Sequence, residues 1–140
     1  MYPNGMRPLT RAPGVLRIVK MRAFVVEDDP DFRDLVREIL EGAGWTVDLA
    51  DDGIAALSRI RSVIPDLIVL DLNMPNLDGT EVLRLLRATQ VGRQIPVLVA
   101  TGSRVDDEVR GLASAVLVKP FAVAEMLSVI RALIPASRVS

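Results

Sequence analysis

Asp66-Leu67-Ile68-Val69-Leu70-Asp71-Leu72-Asn73-Met74-Pro75-Asn76-Leu77-Asp78-Gly79 decides how the rest of the chain is read. Leu67 to Leu70 is an uninterrupted apolar run carrying Ile and Val, the pattern of a strand buried on both faces in a parallel sheet. The run ends on a carboxylate, Asp71, breaks at Pro75 and turns through Asn76-Leu77-Asp78-Gly79. In open α/β sheets, ligands gather outside the carboxyl ends of the strands. Asp71 therefore sits where chemistry is expected, and the other strands determine what meets it.

Working outward, Ala23-Phe24-Val25-Val26 reads as a first strand closing on Glu27-Asp28-Asp29. Pro30 follows at a position where its missing N–H costs a helix nothing. Phe32, Leu35, Val36, Ile39 and Leu40 then recur at helical spacing, and Gly42 and Gly44 end that helix. Trp45 to Ala50 alternates as a second strand. Asp51-Asp52-Gly53 turns into a second helix with Ile54, Leu57, Ile60 and Arg61 along it. Beyond Gly79 a third helix carries Val82, Leu83, Leu85 and Leu86. Ile95 to Ala100 is a fourth strand with Thr101 at its carboxyl end, and residues 104–112 are a short fourth helix. Ala115 to Val118 is a fifth strand ending at Lys119-Pro120, and a last helix spans about 121–134. Five strand–helix alternations predict an α/β fold, a five-stranded parallel sheet with helices on both faces, because the crossovers share one hand.

The 140 residues fit one domain, read as residues 21–136, with no internal repeat. Residues 1–20 hold Pro3, Gly5, Pro8, Pro13 and Gly14 and read as a basic tail without regular structure. Met21, directly before the first strand, makes an upstream start codon one explanation of that tail. A basic arm for an acidic partner is the other. With few residues on either side of the domain, no output domain is expected. From residue 23 onward there are 12 basic and 18 acidic residues, net −6, which argues against nucleic acid as the main ligand. No apolar run approaches the roughly 20 residues of a membrane span, and Arg17, Lys20 and Arg22 interrupt any signal-peptide core. The chain has no cysteine and no histidine. Thiolate, imidazole and zinc-thiolate chemistry are thus excluded within it, and a reducing compartment, the cytoplasm, is expected.

Four strand ends are polar: Glu27 and Asp28, Asp71, Thr101, and Lys119. Each alone is as well explained as a cap, a turn residue or solvated surface. Together they are chemically complementary, and a parallel sheet brings them to one edge. Clustered carboxylates repel unless a proton or cation intervenes. Oxygen ligands without His or Cys point to Mg²⁺ or Mn²⁺. Glu27, Asp28 and Asp71, with a main-chain carbonyl near Asn73, suit such an ion. Lys119 adds a positive charge and Thr101 a hydroxyl, the usual company of a phosphoryl group in transfer. A carboxylate can itself be the nucleophile, and Asp71 is central.

These motifs resemble the response regulator receiver domain of two-component signalling. The resemblance rests on Val25-Val26-Glu27-Asp28-Asp29-Pro30, Leu70 to Pro75 with Asp78-Gly79, Ala100-Thr101-Gly102 and Val118-Lys119-Pro120-Phe121, in that order, and covers about residues 22–134. It implies the flavodoxin-like (βα)5 receiver fold and a signalling module rather than an enzyme. It also implies that Asp71 is the phosphoacceptor, that Glu27, Asp28 and the Asn73 carbonyl help to hold Mg²⁺, that Thr101 is the switch hydroxyl and that Lys119 pairs with the phosphoryl group. The implied donor is a histidine kinase or phosphotransfer protein, which agrees with the absence of histidine here. Asn73 and Ser103 fall where the family tunes phosphoaspartate lifetime.

Two features depart from the family. Val116 stands where Tyr or Phe is frequent, and the segment from Thr101 to Lys119 is several residues short. They motivate an alternative reading, a constitutive protein-binding adaptor that keeps the site without the usual switch. The last helix and its neighbours are a candidate homodimer face. A magnesium-dependent phosphohydrolase is a third reading, weakened because its general acid would fall on Asn73, which has no carboxylic proton to give.

Overall fold

Alternation along each strand divides the core into two layers. The computed structural model describes residues 6–12 and 15–134. Its main sheet is built from β3 (Arg22–Val26), β4 (Thr46–Ala50), β5 (Leu67–Leu70), β6 (Val97–Thr101) and β7 (Ala115–Val118), all parallel in the order β4-β3-β5-β6-β7. Phe24, Val26, Ile68, Leu70, Val97 and Val99 face one side, under α2 (Gly53–Ile60), α3 (Gly79–Arg87) and α4 (Asp107–Leu112). Ala23, Val25, Leu67, Val69, Leu98 and Leu117 face the other, under α1 (Pro30–Gly42) and α5 (Val123–Leu133). The expected five-stranded parallel sheet with helices on both faces is the observed one.

Aspartates start four of the five helices. Asp29, Asp52, Asp78 and Asp106 accept backbone N–H bonds from Asp31, Ala55, Glu81 and Val109 at 2.8–3.1 Å. Each satisfies a donor that the first helical turn leaves without a partner. Asp29 is thereby committed to α1, while Glu27 and Asp28 stay available at the sheet edge. Val36 and Leu40 of α1 and Val82, Leu83 and Leu86 of α3 are buried, whereas Leu35 and Ile54 of the expected apolar faces are exposed. Asp66, the buried carboxylate opening the central stretch, accepts from the Arg22 N–H at 2.9 Å and ties β5 to β3 at the amino edge, away from the candidate site.

Three local features differ from the sequence reading. Gly92–Gln94 forms a 3-10 turn that Ile95 closes, and β6 starts only at Val97 because Pro96 has no N–H to give the ladder. Thr101 is the last residue of β6 rather than a residue beyond it. Within the stretch read as a tail, β1 (Met6–Ala12) and β2 (Val15–Lys20) pair antiparallel, with an irregularity between Pro8 and Arg11. Val15, Ile18 and Val19 give β2 strand-forming residues that the prolines nearby obscured. Residues 1–5 and 13–14 of that stretch, and 135–136 of the expected domain, lie outside the described residues.

Candidate functional site

Strand pairing places the acids side by side. Val26 pairs with Leu70, so the residues that follow, Glu27 and Asp71, leave adjacent strands together, and the Asp71 N–H bonds the Val26 carbonyl at 3.0 Å. Carboxylate oxygens of Glu27, Asp28 and Asp71 lie within 4.8 Å of one another. Glu27 is 2% and Asp71 6% exposed, while Asp28 opens to solvent. β7 lies two strands from β5 and three from β3, roughly 10 and 14 Å at the usual strand spacing. Only a long side chain crosses that gap. Lys119 does so, with its Nζ 3.0 Å from Glu27 Oε1 and 3.7 Å from Asp71 Oδ2.

Three carboxylates against one ammonium leave a negative excess in a largely buried site. Burial pushes the Glu27 carboxyl up from its ordinary 4.5 to about 7; the Lys119 hydrogen bond opposes the rise and the Asp71 charge adds to it. The donor set is all oxygen, partly desolvated and under-neutralised. It fits a hard divalent cation that keeps some of its water.

The remaining predicted residues surround the acids. Asn73 is exposed, and its N–H donates to Asp71 Oδ1 at 3.3 Å. Pro75 and then Asn76, at φ 67°, turn the loop away. Gly79 closes it: its N–H bonds the Leu72 carbonyl at 2.9 Å, and a Cβ there would overlap the Asp71 carbonyl and Leu72 Cα. Thr101 is fully buried, and its Oγ1 accepts the Ser103 N–H at 3.1 Å. The Lys119 N–H bonds the Thr101 carbonyl at 2.9 Å, which ties the ends of β6 and β7. Val116 is half-buried and packs against the core layer on the α4 side.

Two residues carry contacts that the sequence reading did not assign, Phe32 at the site and Arg87 at the opposite, amino edge of the sheet. Phe32, read as core-facing, places its ring under Lys119, with Nζ 3.8 Å from the ring centroid. Arg87 of α3 donates to the Leu112, Gly92 and Ile95 carbonyls, each at 2.7–2.8 Å, and so pins the end of α4. The Phe32–Lys119 and Arg87–Leu112 contacts have no local sequence signal, because the partners are 87 and 25 positions apart.

Comparison with known proteins agrees with this geometry. A model of the response regulator receiver domain matches residues 23–131. The response regulator MprA of Mycobacterium ulcerans is 46% identical over 120 residues, covering 83% of this chain and 51% of that protein. The Mycobacterium avium MprA is 47% identical over 118 residues, covering 81% and 51%. The chain thus spans about half the length of the curated relatives it matches. Among solved structures, the chemotaxis protein CheY4 of Vibrio cholerae aligns with a TM-score of 0.76 at 28% identity, covering 82% of this chain and 99% of that one. A sensor histidine kinase receiver domain from Pseudomonas aeruginosa, described with a magnesium ion coordinated in its active site cleft, aligns with a TM-score of 0.76 at 28% identity, covering 83% and 98%. The response regulator TrrA of Thermotoga maritima, described in complex with Mg²⁺ and beryllofluoride, aligns with a TM-score of 0.74 at 30% identity, covering 81% and 98%. The chain belongs to the response regulator receiver domain family. No helix among the described residues is long and apolar enough to cross a membrane.

Proposed function

We propose that this receiver domain takes a phosphoryl group onto Asp71 from a phosphohistidine donor, with a divalent cation held by Glu27, Asp28, Asp71 and the Asn73 carbonyl. The observation that carries the proposal is Lys119 reaching across the sheet to within 3.0 Å of Glu27 and 3.7 Å of Asp71. Mg²⁺, when bound, would offset the negative charge of the acids and of the incoming phosphoryl oxygens. An Asp71 oxygen attacks phosphorus, the P–N bond to the donor imidazole breaks, and the leaving nitrogen keeps the bonding pair. Lys119 exchanges its Glu27 contact for a phosphoryl oxygen, which makes the charged site and the β7 end respond to the same event. Thr101 carries the change into β6 and β7, a role supported by the hydrogen bond from the Lys119 N–H to its carbonyl. The donor is a histidine kinase or phosphotransfer protein and the setting cytoplasmic, readings that family membership supports, and TrrA's complex with Mg²⁺ and beryllofluoride supports the cation assignment.

A second reading has its own support. Val116 supplies no inward-turning ring, and α4 has six residues with only Val109 buried. A surface built this way can bind a partner constitutively. Acetyl phosphate with Mg²⁺ tests the first reading. Intact-mass analysis should show one added phosphoryl group in the wild type and none in Asp71→Asn. Equal mass in both, with or without donor, removes the phosphoacceptor. Partner affinity unchanged by a modification that does occur selects the constitutive reading.

A further inference from the structure

Lys119 is held on three sides, and only two of them are acids. Glu27 and Asp71 provide the charges. The third side is the face of Phe32, on the first turn of α1. Phe121 meets that ring edge-on, with centroids 5.7 Å apart and planes at 83°, and so limits its tilt. An aromatic face attracts an ammonium without neutralising it or competing for its donors. The distinction matters in a site whose acids have other work. A cation held by Glu27 and Asp71 would compete with Lys119 for both carboxylates, whereas the ring would stay in place.

We infer that Phe32 is a positioning residue for Lys119, its ring keeping the ammonium over the site after the metal has claimed Glu27. The inference rests on the proposed phosphoryl reading for its purpose, but not for its geometry. Glu27 and Phe32 are five residues apart on either side of the Asp29 cap, so the turn that starts α1 also sets the distance between the two supports. Phe121 is two residues beyond Lys119, so β7 brings the lysine and the ring's brace together. A leucine at position 32 would fill much of the same space without the quadrupole, whereas a tyrosine would retain it.

The chain has only two lysines, Lys20 and Lys119, which makes the side-chain signal easy to assign. In the metal-free wild type, the Lys119 ε-methylene protons should be shifted upfield by the Phe32 ring current, with Lys20 as internal reference. Phe32→Leu should abolish that shift and Phe32→Tyr should keep it. With Mg²⁺ and beryllofluoride, Phe32→Leu should weaken beryllofluoride binding about three- to thirty-fold, the range for exposed to desolvated cation–π contacts. Its affinity for Mg²⁺ alone should not change, because the ring touches no carboxylate ligand. In a Lys119→Gln background the Phe32→Leu loss should vanish. A Lys119 signal indifferent to Phe32→Leu overturns the inference, as does a loss that persists without the lysine. A wild type that binds no beryllofluoride defeats the phosphoryl reading instead, and the Lys119 signal alone then decides the positioning role.

Discussion

Metal-free protein should lose stability as the pH rises, and Mg²⁺ should restore it. Glu27 is buried at 2% exposure, and that burial pushes its carboxyl from 4.5 to about 7 against the pull of Lys119. A raised value means that the folded state holds the proton more tightly than the unfolded state does. The stabilising contribution is complete below 4.5 and is lost as the pH climbs through about 7. At about 1.4 kcal/mol per pH unit, the gap corresponds to roughly 3 kcal/mol. Mg²⁺ needs the deprotonated carboxylate, so binding below neutral pH must release a proton. Affinity should then fall about tenfold per unit below pH 7 from Glu27 alone. Urea titrations at several pH values, with chelator or with Mg²⁺, read the stability. Calorimetry in two buffers of different ionisation enthalpy counts the proton. Glu27→Gln should flatten the metal-free profile. A wild-type profile already flat between the acid and alkaline ends, or Mg²⁺ affinity indifferent to pH, would refute the reasoning.

Two further perturbations probe the frame, one beside the site and one at the opposite edge of the sheet. Gly79→Ala drives a Cβ into the Asp71–Leu72 backbone and should cost about 1–3 kcal/mol in denaturant titration. The same substitution should weaken Mg²⁺ binding, because the strand end that carries Asp71 must shift. Arg87→Ala deprives three carbonyls of one half-buried guanidinium and should cost roughly 1–3 kcal/mol. Amide exchange in that variant should quicken first at Leu112 to Ser114, where α4 meets β7. Exchange rising evenly over the whole domain would contradict the pinning role.

Much of the fold was readable because it depends on local pattern. Leu67 to Leu70 had to be buried on both faces, and all four residues are. The breaks at Pro30, Pro75 and Gly79 fall where elements start or turn. The convergence of Glu27, Asp28, Asp71 and Lys119 was also legible, since parallel strands deliver their carboxyl ends to one edge. Contacts that depend on side chains remote in sequence were not. Phe32 has the helical spacing of a core residue, and nothing near it in the chain announces a lysine 87 positions later. Arg87 looks like an ordinary exposed helix cation until Leu112, 25 positions on, is brought to it. The β1–β2 pairing was hidden by prolines that signal irregular chain, although the branched residues of Val15 to Lys20 were there to be read.

The most direct measurement is ¹⁹F NMR of the wild type and Asp71→Asn, titrated with beryllium fluoride in the presence and absence of Mg²⁺. The account predicts protein-bound fluorine resonances for the wild type with Mg²⁺ only, and none for Asp71→Asn under any condition. Bound resonances that survive the loss of Asp71, or that form equally well without the metal, would contradict it.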